Sequence, residues 1–197
     1  MKNETWDNFI QKTQNRKPIS YVADAVKLIN TKGLKKALDL GCGAGIDAKY
    51  LAENDFYVDA VDFSDASIEQ TKKICASSKV SVIKSDINEF NIITSSYVLI
   101  IAWNSLPFLT KKNTRNVLLK IQDGLSNQGI FVFSIFGIED EWAKTKPEMS
   151  FWSIEEFKNV LYKMKFLKLL EEKGEGTLAV GGSKYWHKIQ GIAIREN

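Results

Sequence analysis

The sequence predicts an α/β fold, a doubly wound and mostly parallel seven-stranded sheet with one antiparallel strand near the C-terminus. Three observations carry that prediction. Five short apolar runs alternate with helically periodic segments, a glycine-rich turn joins the first run to the helix after it, and two strand-like runs end the chain with no helix between them.

Val22, Ala25, Val26 and Ile29 recur at helical spacing, and Gly33 follows as a stop, so the chain enters the sheet from a leading helix. "KALDL" is the first strand, followed by the glycine turn and the helix "IDAKYLAEN". "YVDAVD" is the second strand, and Ser64 caps the helix "DASIEQTKKICASS". "VSVIKSD" is the third. "YVLIIAW", almost wholly apolar, is the fourth and reads as buried on both faces. Val117, Leu118, Ile121 and Leu125 share one face of a helix expected to end near Gly129, before the fifth strand "IFVFSIF". Ser153 and Glu156 have capping-box spacing at the start of "SIEEFKNVLYKM". "FLKLLEEKGEG" and "KYWHKIQGIAIRE" then form an antiparallel hairpin. One domain over 1–197 is expected, with a lead and helix at 1–34, a ligand-binding core at 35–137, and a lid-like segment, helix and hairpin at 138–197.

A chain of 197 residues with 44% hydrophobic content can bury a full core. Its net charge of +3 comes from interspersed acids and bases, which argues against a nucleic-acid partner. The two cysteines, Cys42 and Cys75, form no CxxC or Cys/His cluster, so neither a disulfide framework nor a metal site is encoded. No apolar run approaches a membrane span, and the polar N-terminus is unlike a signal peptide; a soluble, cytoplasmic protein is expected.

Gly41, Gly43 and Gly45 form G-x-G-x-G directly after the first strand, where missing Cβ atoms permit a sharp turn and close ligand approach. Gly-rich turns also occur for purely structural reasons. A dinucleotide fingerprint needs glycine where Ile46 stands, and no G-K-[ST] follows to make a P-loop. Asp39 lies near the end of the first strand, Asp62 ends the second and Asp86 ends the third, so three carboxylates converge on one sheet edge. An acid ending the second strand suits a pair of ribose hydroxyls, and Asp86 with Ile87 suits an adenine. Carboxylates without a phosphate cradle point to a cationic nucleoside such as S-adenosylmethionine. A nicotinamide-dependent oxidoreductase and a non-catalytic cofactor-binding module remain the alternatives.

"LDLGCGAGIDAKYLAE", "VDAVDFSD", "KSDINEF" and "LIIAWNSLPFL", in this order and spacing, resemble the successive motifs of class I S-adenosylmethionine-dependent methyltransferases, which have a Rossmann-like fold. The resemblance assigns the methionine part of the cofactor to Gly41 and the adjoining turn of Cys42, Gly43 and Gly45. It assigns ribose to Asp62, the adenine face to Phe63 beside Ser64, and the adenine edge to Asp86 and Ile87. Ala102, Trp103 and Asn104 would lie near the methyl group, and Asp39 would organise the loop and the ammonium. The ends of the chain are similar to the small tellurite-resistance and thiol-methyltransferase-like branch.

The implied reaction is methyl transfer to a small-molecule acceptor by in-line displacement, driven mainly by positioning. "NSLPF" departs from the D/N-P-P-Y/F pattern of adenine N-methylation. His187, the one histidine, is the candidate catalytic residue if the last strand returns to the edge that carries the glycine turn; the alternative is a structural histidine, the commoner role of a lone one. Arg16 or Lys17 would approach the methionine carboxylate or else stay solvated at the surface, and "GIEDEWAKTKPEMSFW" is a candidate substrate lid whose Trp142, Phe151 and Trp152 either cap an acceptor or merely cover the sheet. Cys42 reads as a packing residue of the turn.

Overall fold

The computed structural model describes residues 3–31, 33–77 and 79–196. Eight strands form one sheet: β1 Lys36–Leu40, β2 Tyr57–Asp62, β3 Val80–Lys84, β4 Tyr97–Trp103, β5 Leu125–Gly137, β6 Phe151–Trp152, β7 Met164–Thr177 and β8 Ser183–Arg195. Their order is β3-β2-β1-β4-β5-β8-β7, with the two-residue β6 added to the end of β5. β8 runs antiparallel to both of its neighbours, as the terminal hairpin predicts. The chain winds outward from β1 in one direction to β3 and in the other to β5, so the ends of β1 and β4 diverge at the switch point where such sheets bind ligands.

Helices α2 Ser20–Leu28 and α3 Ile46–Glu53 cover one face, while α5 Lys111–Gly124 and α7 Ile154–Val160 cover the other; α4 is Asp65–Ile74 and α6 is Trp142–Thr145. The period-two side-chain alternation of a strand divides β5 between two cores. Ile130 and Val132 pack with Val22, Ala25 and Leu51, whereas Phe131 and Phe133 pack with Leu118, Ile121 and Phe157. Ser64 accepts from the Ser67 N–H at the start of α4, and Ser153 with Glu156 closes a capping box on α7.

Two boundaries differ from expectation. A further helix, α1, spans Asn3–Thr13 in the segment expected only as a lead. α5 ends at Gly124, five residues before Gly129, because Leu125 is extended and pairs with Tyr97 of β4. Gly129 instead serves a bend within β5, where a Cβ would stand 2.8 Å from the Ser126 carbonyl oxygen. Among the described residues, no helix is long and apolar enough to cross a membrane.

Candidate active site

The glycine turn is built by left-handed backbone, with φ of 77° at Gly41, 54° at Gly43 and 76° at Gly45. Such angles cost an L-residue roughly 1–2 kcal/mol, which glycine avoids. The N–H groups of Gly41 and Cys42 both donate to the Val61 carbonyl, at 2.8 and 3.0 Å, and tie the turn to the end of β2. Close packing adds a second requirement. A Cβ on Gly41 would stand 2.4 Å from that of Ser105, and one on Gly45 would meet the Thr71 side chain at 2.7 Å.

Asp62 organises this turn as well as ending β2. Its Oδ2 accepts from the Gly43 N–H at 3.0 Å and its Oδ1 from the Ser64 N–H at 2.9 Å. A carboxylate has about four lone-pair sites, so each oxygen keeps capacity for one more donor. Burial raises the Asp62 pKa, while the Ser64 and Gly43 N–H groups and Ser67 hold it down. Asp39 is driven well upward, first by burial and then by the nearby Asp47 and Asp62, with Arg16 opposing. Its Oδ2 is buried without a hydrogen-bond partner, and so is Ser105 Oγ. The Cys42 thiol is also raised by burial, which keeps it protonated and inert, and it lies 3.6 Å from Thr71 Oγ1.

A cavity of about 510 Å³ opens at the carboxyl ends of β1, β2 and β4. Gly41, Cys42, Gly43 and Asp62 form its floor, Phe63, Asp86 and Ile87 one side, and Trp103 and Asn104 the other. Arg16 also reaches it. Its guanidinium forms an ion pair with Asp47, whose other oxygen accepts from the Ile19 N–H at 2.8 Å, so the segment between α1 and α2 is pinned to the first turn of α3. Asp39, Gly45, Ser64 and Ala102 lie outside the lining and shape it from behind: Gly45 and Ser64 start helices, and Ala102 is core. Lys17 is exposed and absent from the lining.

The cover differs from the expected one. Trp6, Phe9, Ile10 and Thr13 of α1 line the cavity, with Phe108 and Leu109 from the loop after β4. The Trp6 ring meets Phe63 and Phe108 edge to face, with centroids 5.9 and 4.8 Å apart. The helical spacing of Trp6, Ile10 and Thr13 was the available signal for this helix. The lid expectation for Trp142, Phe151 and Trp152 is corrected: none of them lines the cavity. Trp142 instead packs with Trp186 around the buried Lys184 ammonium, which is paired to Asp140, and Trp152 is core.

The expectation for His187 is corrected likewise. β8 does return to the correct edge, but the imidazole is 2% exposed and lies over Gly137, where a Cβ would come within 2.3 Å of the ring. Its Nδ1 accepts from the Glu139 N–H at 3.1 Å and Nε2 is 2.7 Å from Glu171 Oε1. Both ring nitrogens are therefore engaged outside the cavity, in a structural role.

The residues fit S-adenosylmethionine on three counts. Spare lone pairs on Asp62 suit ribose hydroxyls, the Phe63 ring is 45% exposed beside Asp86, and the orphaned Asp39 oxygen near Gly41 suits a cationic end group. Among the described residues, no cluster of three or more His, Cys, Asp or Glu side chains could hold a metal ion.

Comparison with known proteins agrees with this geometry. The chain is 27% identical over 142 residues to a protein of Geobacillus sp. (strain WCH70) named "Putative methyltransferase", a match that covers 68% of this chain and 58% of that protein. The crystal structure of TehB from Haemophilus influenzae superposes with a TM-score of 0.75 at 22% identity, covering 91% of this chain and 62% of that one. That of a protein from Listeria monocytogenes, described as a "putative S-adenosylmethionine dependent methyltransferase", gives a TM-score of 0.69 at 16% identity, covering 89% and 97%. The chain thus has the methyltransferase fold and spans less than two thirds of the first two relatives. The match to the family described as "Tellurite resistance protein TehB" extends over residues 1–179, and the chain belongs to that family.

Proposed function

We propose that this protein binds S-adenosylmethionine in the cavity beneath α1 and transfers its methyl group to a small-molecule acceptor. The observation that carries the reading is Asp62: its carboxylate braces the glycine turn through Gly43 and Ser64 while facing the same cavity as Gly41. The surroundings are acidic. Asp62 and Asp86 line the cavity, and the guanidinium of Arg16 is already paired to Asp47. That field favours a cationic ligand over the diphosphate of a nicotinamide dinucleotide, whose fingerprint the chain also lacks at Ile46.

When bound, S-adenosylmethionine supplies an electrophilic methyl group on a sulfonium, transferred by in-line displacement with S-adenosylhomocysteine as product. The chain contributes position and dryness. Asp62 and the glycine turn orient the nucleoside, while Trp6, Phe9 and Phe108 exclude water from the opposite wall. Among the described residues, the titratable side chains lining the cavity are Arg16, Cys42, Asp62 and Asp86, while Trp103, Asn104, Ser105, Phe108 and Leu109 come from the end of β4 and the loop after it. With no general base from that loop among the described residues, the acceptor that suits this site arrives already deprotonated, as a thiolate or a chalcogen oxyanion does. The family description, tellurite resistance, supports that reading. Two free, buried cysteines accord with a reducing, cytoplasmic setting.

Transfer of labelled methyl from S-adenosylmethionine across tellurite, selenite, thiols, phenols and amines tests the proposal. Turnover of a thiol or chalcogen anion is expected. Failure of every class despite tight cofactor binding would favour a non-catalytic binding module.

A further inference from the structure

Asn104 has φ of 54°, a left-handed backbone that Asn tolerates better than most residues but that still carries strain. Strain of this kind persists only where the surroundings fix it. Here they do so through three adjacent strands. Ser134 of β5 lies in register between Trp103 of β4 and Gln190 of β8. Gln190 Nε2 donates to Ser134 Oγ at 3.4 Å, and Ser134 Oγ donates to Asn104 Oδ1 at 2.7 Å.

The direction of this chain follows once the Gln190 nitrogen is the group facing Ser134 Oγ. Ser134 is fully buried, so its hydroxyl proton needs an acceptor, and a Gln amide nitrogen cannot accept. The proton therefore goes to the Asn104 carbonyl. With Oδ1 held against β5, the Asn104 NH2 is the end left to the cavity that Asn104 lines. Ser105, the next residue, brings a buried hydroxyl without a partner to the same wall.

The placement separates this wall from the nucleoside. Asp62 and Asp86 stand at the ends of β2 and just beyond β3, on one side of β1, whereas β4, β5 and β8 lie on the other. We propose that Asn104 is a specificity residue for the acceptor, its NH2 donating to a lone-pair-bearing atom of the molecule to be methylated, and that Ser134 and Gln190 are positioning residues that hold the amide in that orientation. The inference rests on the methyl-transfer reading above and assigns roles to two residues outside the cavity. It also gives the left-handed backbone at Asn104 a role, since that backbone carries the side chain whose carbonyl meets Ser134.

Two variants test it. Asn104→Asp keeps the shape and the acceptor for Ser134 but removes the donor, and Ser134→Ala frees the amide to rotate. With the acceptor that wild type methylates fastest in the panel, kcat/KM should fall about 10²-fold for Asn104→Asp, the scale of losing one preorganised donor. It should fall about tenfold for Ser134→Ala, the scale of losing an orienting partner. S-adenosylhomocysteine affinity should stay within about twofold in both, the mark of an acceptor-side role. Rates within threefold of wild type would overturn the proposal, and so would a parallel loss of S-adenosylhomocysteine affinity. If wild type binds S-adenosylhomocysteine but methylates nothing, the methyl-transfer reading fails, and the relay is judged by the Asn104 side-chain NH2 signals of the S-adenosylhomocysteine complex in 15N-labelled protein. Those signals should shift and exchange faster in Ser134→Ala; an identical pair in both proteins overturns the relay.

Discussion

Replacing Asp62 by Asn isolates the charge that the site places under the nucleoside. In the native protein each carboxylate oxygen accepts one backbone N–H, from Gly43 at 3.0 Å or Ser64 at 2.9 Å, and keeps capacity for one ribose hydroxyl. The amide retains one acceptor oxygen. One ribose hydrogen bond to a charged acceptor is lost, worth about 1.5–3 kcal/mol, and the other falls to the neutral scale of about 1 kcal/mol. The sum is about 3 kcal/mol, or roughly 150-fold in affinity for S-adenosylhomocysteine. Stability should change much less than affinity. The new NH2 opposes the N–H of Gly43 or Ser64, which costs about 1–3 kcal/mol, but the variant also sheds the burial penalty that raises the native carboxyl's pKa. Titration calorimetry and thermal unfolding of both proteins separate the two effects. Affinity within threefold of wild type would refute the assignment of Asp62 to ribose.

Three further perturbations follow from other parts of the site. Asp39 has a pKa raised above its ordinary 3.8, chiefly by burial, so the fold binds its proton more tightly than the unfolded chain does. Its contribution to stability is then greatest below about pH 3.8 and is lost as pH rises through the raised folded value. Asp39→Asn should therefore melt higher than wild type at pH 7, with the advantage shrinking toward pH 4; an unchanged or lower melting temperature at pH 7 would contradict this. Gly45→Ala combines about 1–2 kcal/mol of left-handed strain with about 1–3 kcal/mol of overpacking against Thr71, and should lower Tm by at least about 5 °C; a shift under 2 °C would count against the packing argument. Trp6→Ala removes the two edge-to-face contacts that tie α1 to Phe63 and Phe108, worth about 0.5–1.5 kcal/mol each, and should speed S-adenosylhomocysteine dissociation about tenfold in stopped-flow measurements. An unchanged rate would show that α1 does not retain the ligand.

What was legible in the sequence was what local order determines. Gly41, Gly43 and Asp62 could be placed because a strand, a turn and a helix lie close together along the chain, and the sheet geometry brings their ends to one edge. Features that depend on contacts distant in sequence were not. The role of α1 depends on Trp6 meeting Phe63 and Phe108, far along the chain, and helical periodicity marks an apolar face without naming its partner. β8 was correctly expected to return to the ligand edge, but the side of the strand that His187 occupies depends on a register in which Lys173 pairs with His187. One residue of slip would have turned it to the opposite face. The end of α5 was misjudged because pairing of Leu125 with Tyr97 overrides helical periodicity. The alignment of Gln190, Ser134 and Asn104 needs the registers of three strands, two of them remote from the third in sequence.

Calorimetric titration of the wild-type protein with S-adenosylhomocysteine, alongside NADH, tests the central claim most directly. The account predicts saturable binding of one S-adenosylhomocysteine per chain and much weaker binding of NADH. No detectable S-adenosylhomocysteine binding, or tighter binding of NADH, would contradict it.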